Sequence, residues 1–256
     1  MIACLILTIG SLFFMTLLCI VYFSQNNEKT IETKLYKYML ITMLLLIITE
    51  IILCSIVYHS DSNEIKIIAA RIHWLSAVAW FYLLFFYSLA FLRDIQATSV
   101  TKYLFSDTRS KIVTIITIIV LIIYFFLPFS SLDKMSYLPG PAAYFLVTYC
   151  TIITLYIIGY TIVNGKKINT RKKKTIYIQV IILAIDMTLQ FLYHDIAIEA
   201  IGAAIQMFYL YFNIENPDIK TVEELEIVKN EIDKANKAKS DFLSNMSSEI
   251  VHPMNT

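Results

Sequence analysis

Glu50, Asp186 and Glu199 each lie inside a long apolar run of the 256-residue chain. A carboxyl group in such a setting is expensive to keep. Where it serves chemistry, it relays a proton or an ion, or it anchors a ligand. Gln190 follows Asp186 by four residues and so shares its helix face. Near one set of chain turns stand His59, Arg71, His73 and Trp74, and near another His194 and Asp195. Together these residue types are suited to lining one external pocket that senses a signal. The competing reading is structural: such side chains are common at interface depth, and Glu50 or Asp186 is equally suited to a hydrogen bond facing the bundle. The chain has no Gly-rich phosphate loop, and its four scattered histidines have no metal-ligand spacing, so no metal site is expected.

The segments that must position these residues are set by composition. Apolar residues make up 58% of the chain and charged residues 16%. An ordinary soluble domain is about 45–50% apolar and about 25% charged. The excess excludes a soluble globule, a disordered chain and a disulfide scaffold, and it points to a bilayer. Seven apolar segments are expected to cross as helices, at residues 2–23, 38–58, 72–92, 112–129, 141–163, 176–193 and 196–214. Barrel strands would be half as long and would alternate, which these do not. Only His194 and Asp195 separate the last two segments, which implies a tight hairpin. The four cysteines, Cys4, Cys19, Cys54 and Cys150, fall within these runs and read as small hydrophobes. So does the aromatic stripe Trp80–Tyr87 (WFYLLFFY), as core or lipid-facing packing.

Orientation follows from loop charge. Segments 24–37, 93–111, 164–175 and the tail hold 18 of the Lys and Arg residues, whereas 59–71 and 130–140 hold 3. The positive-inside rule therefore puts the tail in the cytoplasm and the amino terminus outside. The stretch KKINTRKKK at 166–174 is the sharpest marker, and it would also suit an anionic lipid surface. The first segment lacks a basic start and a small-residue cleavage site, so it reads as a retained helix rather than a signal peptide. The loops on the outer side are short, which leaves a signal to be read within or at the surface of the membrane. High Ile and Lys usage, with 17 Lys against 4 Arg, suits an AT-rich bacterial genome.

The net charge of +1 conceals a change of character. Residues 215–256 carry 9 acidic and 5 basic groups, and about a third of them are apolar. Asn216-Pro217 reads as a helix cap followed by proline in the first turn. Leu225, Val228, Ile232, Ala235, Lys239, Phe242, Met246 and Glu249 then follow in alternating steps of three and four. Six of these are apolar, which makes a coiled-coil-like dimer seam of Leu225, Val228, Ile232, Ala235, Phe242 and Met246. The expected fold is all-α: a seven-helix transmembrane bundle followed by a cytoplasmic coiled-coil-like helix. Its divisions are a sensor domain at 1–214, a linker helix at 215–238 and a terminal box at 239–256.

Lys239 to Asn255 reads KSDFLSNMSSEIVHPMN. It resembles the phosphoacceptor box of bacterial sensor histidine kinases, K-[ST]-x-F-L-[AS]-x-M-S-H-E-[IL]-R-[TN]-P-[LM]-N. Matching positions include Phe242, Leu243, Met246, Ser247, Glu249, Ile250, Pro253 and Asn255. Residues 216–239 are similar to the linker helix of multi-span members, and the likeness covers about the last 40 residues. The resemblance implies a two-component phosphorelay, in which ATP phosphorylates a His that then passes phosphate to a response regulator. It also implies a bacterial cell membrane, a homodimer or a heterodimer with a related kinase, and contact with membrane lipid, but no nucleic acid.

The departures alter what is expected. Ser248 stands at the phosphoacceptor His position, and an unactivated hydroxyl is a poor nucleophile where imidazole is a good one. Glu249 matches the family acid/base position but has no imidazole to serve, and Val251 and His252 replace the Arg and Thr. His252, one turn beyond Ser248, is either a shifted acceptor or a polar residue before a helix-bending proline. By this resemblance the chain stops before a second hairpin helix and an ATP-binding domain. It is therefore expected to hold no cofactor, where intact relatives use ATP, and to be a truncated copy or a regulatory short form. The rival expectation is a small transporter or channel that uses Glu50, Asp186 and Glu199 as a relay.

Overall fold

A computed structural model describes residues 2–25, 30–93, 99–105, 107–129, 140–193 and 198–254. Every regular element among them is helical: α1 (Ile2–Ser24), α2 (Ile31–His59), α3 (Asn63–Arg93), α4 (Val100–Leu104), α5 (Thr108–Phe126), α6 (Pro141–Val163), α7 (Thr170–Leu192), α8 (Glu199–Leu210) and α9 (Pro217–Met254). Between α8 and α9 the chain makes one π turn, Tyr211–Glu215. Six of the helices, α1, α2, α3, α5, α6 and α7, are long and apolar enough to cross a membrane. They mark a multi-pass membrane protein, since a helix satisfies its backbone polar groups internally where no water can.

Local sequence explains where the helices start. The Thr30 side chain accepts a hydrogen bond from the Thr33 backbone N–H and caps α2. Asn169 caps α7 through the Arg171 N–H in the same way. α6 opens at Gly140-Pro141, with glycine at φ 86°, a conformation that L side chains rarely adopt, and proline in the first turn.

The chain divides into two compact units, Met1–Tyr211 and Phe212–Thr256. In the first, α3 is the central post: 78% of its spanning stretch is buried, against at most 44% in any other span. It packs on α2, α6 and α7, while α8 lies against α1, α2 and α7. Trp80, Phe85, Phe86 and Tyr87 of α3 fill the core. The periphery is inverted relative to a soluble protein. Ile115, Ile118, Ile119 and Ile122 of α5 are all exposed, a face suited to hydrocarbon rather than water.

Polar clasps close both ends of this unit. At one end Tyr36 Oη donates to the Met207 carbonyl at 2.8 Å, and Tyr103 Oη of α4 donates to the Phe86 carbonyl at 3.1 Å. Burial pushes the Tyr103 phenol well above its ordinary range, so it remains a donor. Arg93 reaches Asp107 and the Tyr160 hydroxyl, both at 3.2 Å, and Lys172 Nζ donates to the Phe91 carbonyl at 2.7 Å. At the other end Arg71 closes the carboxyl terminus of α5, as described below.

The segment expected to cross at 196–214 takes a different form. α8 has 12 residues, about 18 Å of helix at 1.5 Å per residue. That is shorter than a hydrocarbon core of about 30 Å.

In the second unit, the Asn216 side chain accepts from the Asp218 N–H at 3.0 Å, and Lys220 Nζ meets Glu215 at 2.7 Å. The 38-residue α9 follows, about 57 Å long at helical rise. Leu225, Val228, Ile232, Phe242 and Met246 are exposed along it.

Candidate intramembrane polar site

α2, α3, α7 and α8 bring four ionisable side chains together inside the first unit. His73 of α3 is buried, and its Nε2 lies 3.4 Å from Glu199 Oε2 of α8. Its other ring nitrogen, Nδ1, lies 3.5 Å from the Thr49 hydroxyl of α2. Thr49 is itself tied to the Leu46 carbonyl at 2.8 Å. Glu50, next to Thr49, is fully buried and neither carboxyl oxygen has a hydrogen-bond partner. It lies within electrostatic reach of His73, Glu199 and Asp186.

Asp186 of α7 completes the group. Its carboxyl occupies the space that a β-carbon at Gly202 of α8 would fill. A glycine at that point lets the two helices approach closely enough to place a carboxyl between them. Asp186 Oδ1 has no hydrogen-bond partner. Gln190, one turn on, accepts from the Ile198 N–H at 3.0 Å and so satisfies a free donor at the start of α8. Glu199 sits in the first turn of that helix, the end that favours an acidic side chain.

Beside these groups lies a cavity of about 100 Å³. Asp186, Gln190 and Glu199 line it together with Trp74, Trp80 and Phe81, and its remaining wall is largely aliphatic. No Lys, Arg or His lines it among the described residues. Three carboxyls thus face one imidazole in a low-dielectric setting, where unpaired charge is costly and a bound cation or proton is favoured.

Glu50, His73, Trp74, Asp186, Gln190 and Glu199, all singled out by the sequence, therefore share one site. Arg71 does not join them. Its guanidinium donates to the carbonyls of Tyr124, Phe125 and Leu127, at 3.2, 3.1 and 2.9 Å, and stacks over the Phe129 ring at 5.0 Å. It closes the carboxyl end of α5, where a cation suits both the orphan carbonyls and the helix dipole. His59 is exposed and its Nδ1 contacts the Ser55 carbonyl. His194 and Asp195 lie outside the described residues. Ser248 and Glu249 fall on α9.

Trp80, Cys150 and Gly202 belong to the neighbourhood but carry no charge that would single them out in the sequence. His73, Ala77 and Trp80 do recur at intervals of four and three, so one face of α3 points at the site. Comparison with protein-family models, curated proteins and solved structures finds no match for this chain.

Proposed function

We propose that the chain is the membrane input portion of a sensor-histidine-kinase-like protein of a bacterial two-component phosphorelay. In this reading the 196–214 segment, α8 with its π turn, is a seventh crossing, and the acidic tail lies in the cytoplasm. A signal read in the outer half of the membrane shifts that segment, and the shift passes into the coiled-coil seam of α9. A continuous helix carries a rotation or piston motion with little loss. The observation that carries the reading is the 239–255 sequence box, whose residues 239–254 lie on the helix that follows the membrane unit. The exposed apolar seam that runs into it supports a dimer, formed with a second copy or a related kinase.

Ser248 makes this chain a poor phosphoacceptor, so its role in the reading is regulatory: α9 pairs with an intact kinase and alters its output. The test is co-expression with a histidine kinase that carries the same box and an intact His. The expected result is co-purification and changed autophosphorylation of the partner. Failure of both removes the proposal.

The convergence of Glu50, Asp186 and Glu199 also favours a second reading, a small transporter that uses these carboxyls as a proton or ion relay. Flux in reconstituted vesicles that is lost in Asp186→Asn would reverse the preference.

A further inference from the structure

We propose that the cavity between α3, α6, α7 and α8 binds an amphiphilic organic cation, with its substituted ammonium group held between Asp186 and Glu199 and its tail along the apolar wall. Three features select this chemistry. First, the charge balance is one-sided: two carboxyls line the cavity, Glu50 lies behind them, and among the described residues His73 is the one basic group packed with them. Second, Glu50 is fully buried with both oxygens unpartnered, and Asp186 Oδ1 on the cavity wall also lacks a partner. Of these, the Asp186 oxygen lies on the cavity wall, where a counter-charge brought from outside the chain meets it. Third, Trp74, Trp80, Phe81 and Phe191 line the same space, and ring faces attract a substituted ammonium held beside carboxylates.

Size and coordination argue against simpler occupants. A cavity of about 100 Å³ exceeds what one water needs, about 10–15 Å³ on a comparable measure. Among the described residues no group of three His, Cys, Asp or Glu side chains is arranged to hold a metal ion. Phe191, on the cavity wall, is 68% exposed, so the space extends to the periphery of the bundle, where an alkyl tail reaches it from the lipid. The site stands whether the bundle feeds a signalling helix or a transport cycle, so binding and signalling fail separately.

The chain has two tryptophans, and both line this cavity. Tryptophan emission of the full chain in phosphatidylglycerol nanodiscs therefore reports on the site. The titrants are hexyltrimethylammonium, 1-hexanol and hexyl sulfate, with empty nanodiscs as blank. The expected result is a saturable change with hexyltrimethylammonium alone, and an affinity weakened at least tenfold in Asp186→Asn and in Glu199→Gln. Helix content and a monodisperse size profile qualify each variant, and Ala203→Leu, which fills the cavity, stands in for either that fails. Absence of a saturable response overturns the proposal. So does an equal response to hexanol, or full retention of affinity in the variants.

Discussion

The carboxyl of Asp186 occupies the volume that a side chain at Gly202 would need, which locks α7 and α8 into one spacing. Gly202→Ala therefore forces the helices apart or the carboxyl out of place. Overpacking of this kind costs about 1–3 kcal/mol, and the thermal midpoint of the detergent-solubilised chain is expected to fall. Shortening the opposing side chain relieves the clash, so Gly202→Ala should cost less in an Asp186→Ala background. A double-mutant cycle measures the coupling. Strictly additive effects would show that the two residues do not share this space.

Arg71 supplies a second test. It satisfies three carbonyls at the end of α5, and hydrogen bonds involving a charged group are worth about 1.5–3 kcal/mol. Arg71→Met is expected to lower the thermal midpoint and to loosen protection of the α5 carboxyl end in hydrogen exchange. Arg71→Lys should restore only part of the loss, because an ammonium cannot reproduce the planar fork. An unchanged midpoint in Arg71→Met would mean that the cap contributes nothing.

Glu50 predicts the opposite sign. Since neither oxygen has a partner, Glu50→Gln keeps the volume and removes the ionisable proton. Its stability is expected to stay within about 1 kcal/mol of the parent or to rise, because replacing a buried ionisable group by a neutral one is often neutral or stabilising. A large loss of stability by chemical denaturation would reveal a partner for the carboxyl.

Much of this architecture was legible in the sequence where local chemistry marks the ends. The expected segment 141–163 coincides with α6, because Gly140-Pro141 starts the helix and Asn164-Gly165 stops it. α2 and α3 instead begin at Ile31 and Asn63, ahead of the expected 38 and 72. Hydropathy reads the apolar middle of a helix, and the polar turns around Glu32 and Glu64 lie outside that window. Six of the seven expected spans are present, in order, as long apolar helices, whereas the described residues of the 196–214 segment form a short α8 and a π turn that no periodicity announces. For the site, charge within apolar runs picked out Glu50, Asp186 and Glu199. It left open whether they meet, since only packing places Glu199 beside His73. Arg71 and His73 look alike in the sequence, each a basic group beside an apolar run, yet the geometry of Arg71 is that of a helix cap.

The claim that the membrane unit feeds a dimeric signalling helix is tested most directly by cysteine cross-linking of α9 in native membranes. The four native cysteines are all buried in membrane helices, so introduced ones report on their own positions. Single cysteines at 225 to 242 should form intermolecular disulfides under mild oxidation with a repeat of three and four residues. Maxima are expected at Leu225, Val228, Ile232, Ala235 and Phe242, and minima at Glu226, Asn230, Asp233 and Lys237. Cross-linking that is absent or uniform along the helix would contradict the account.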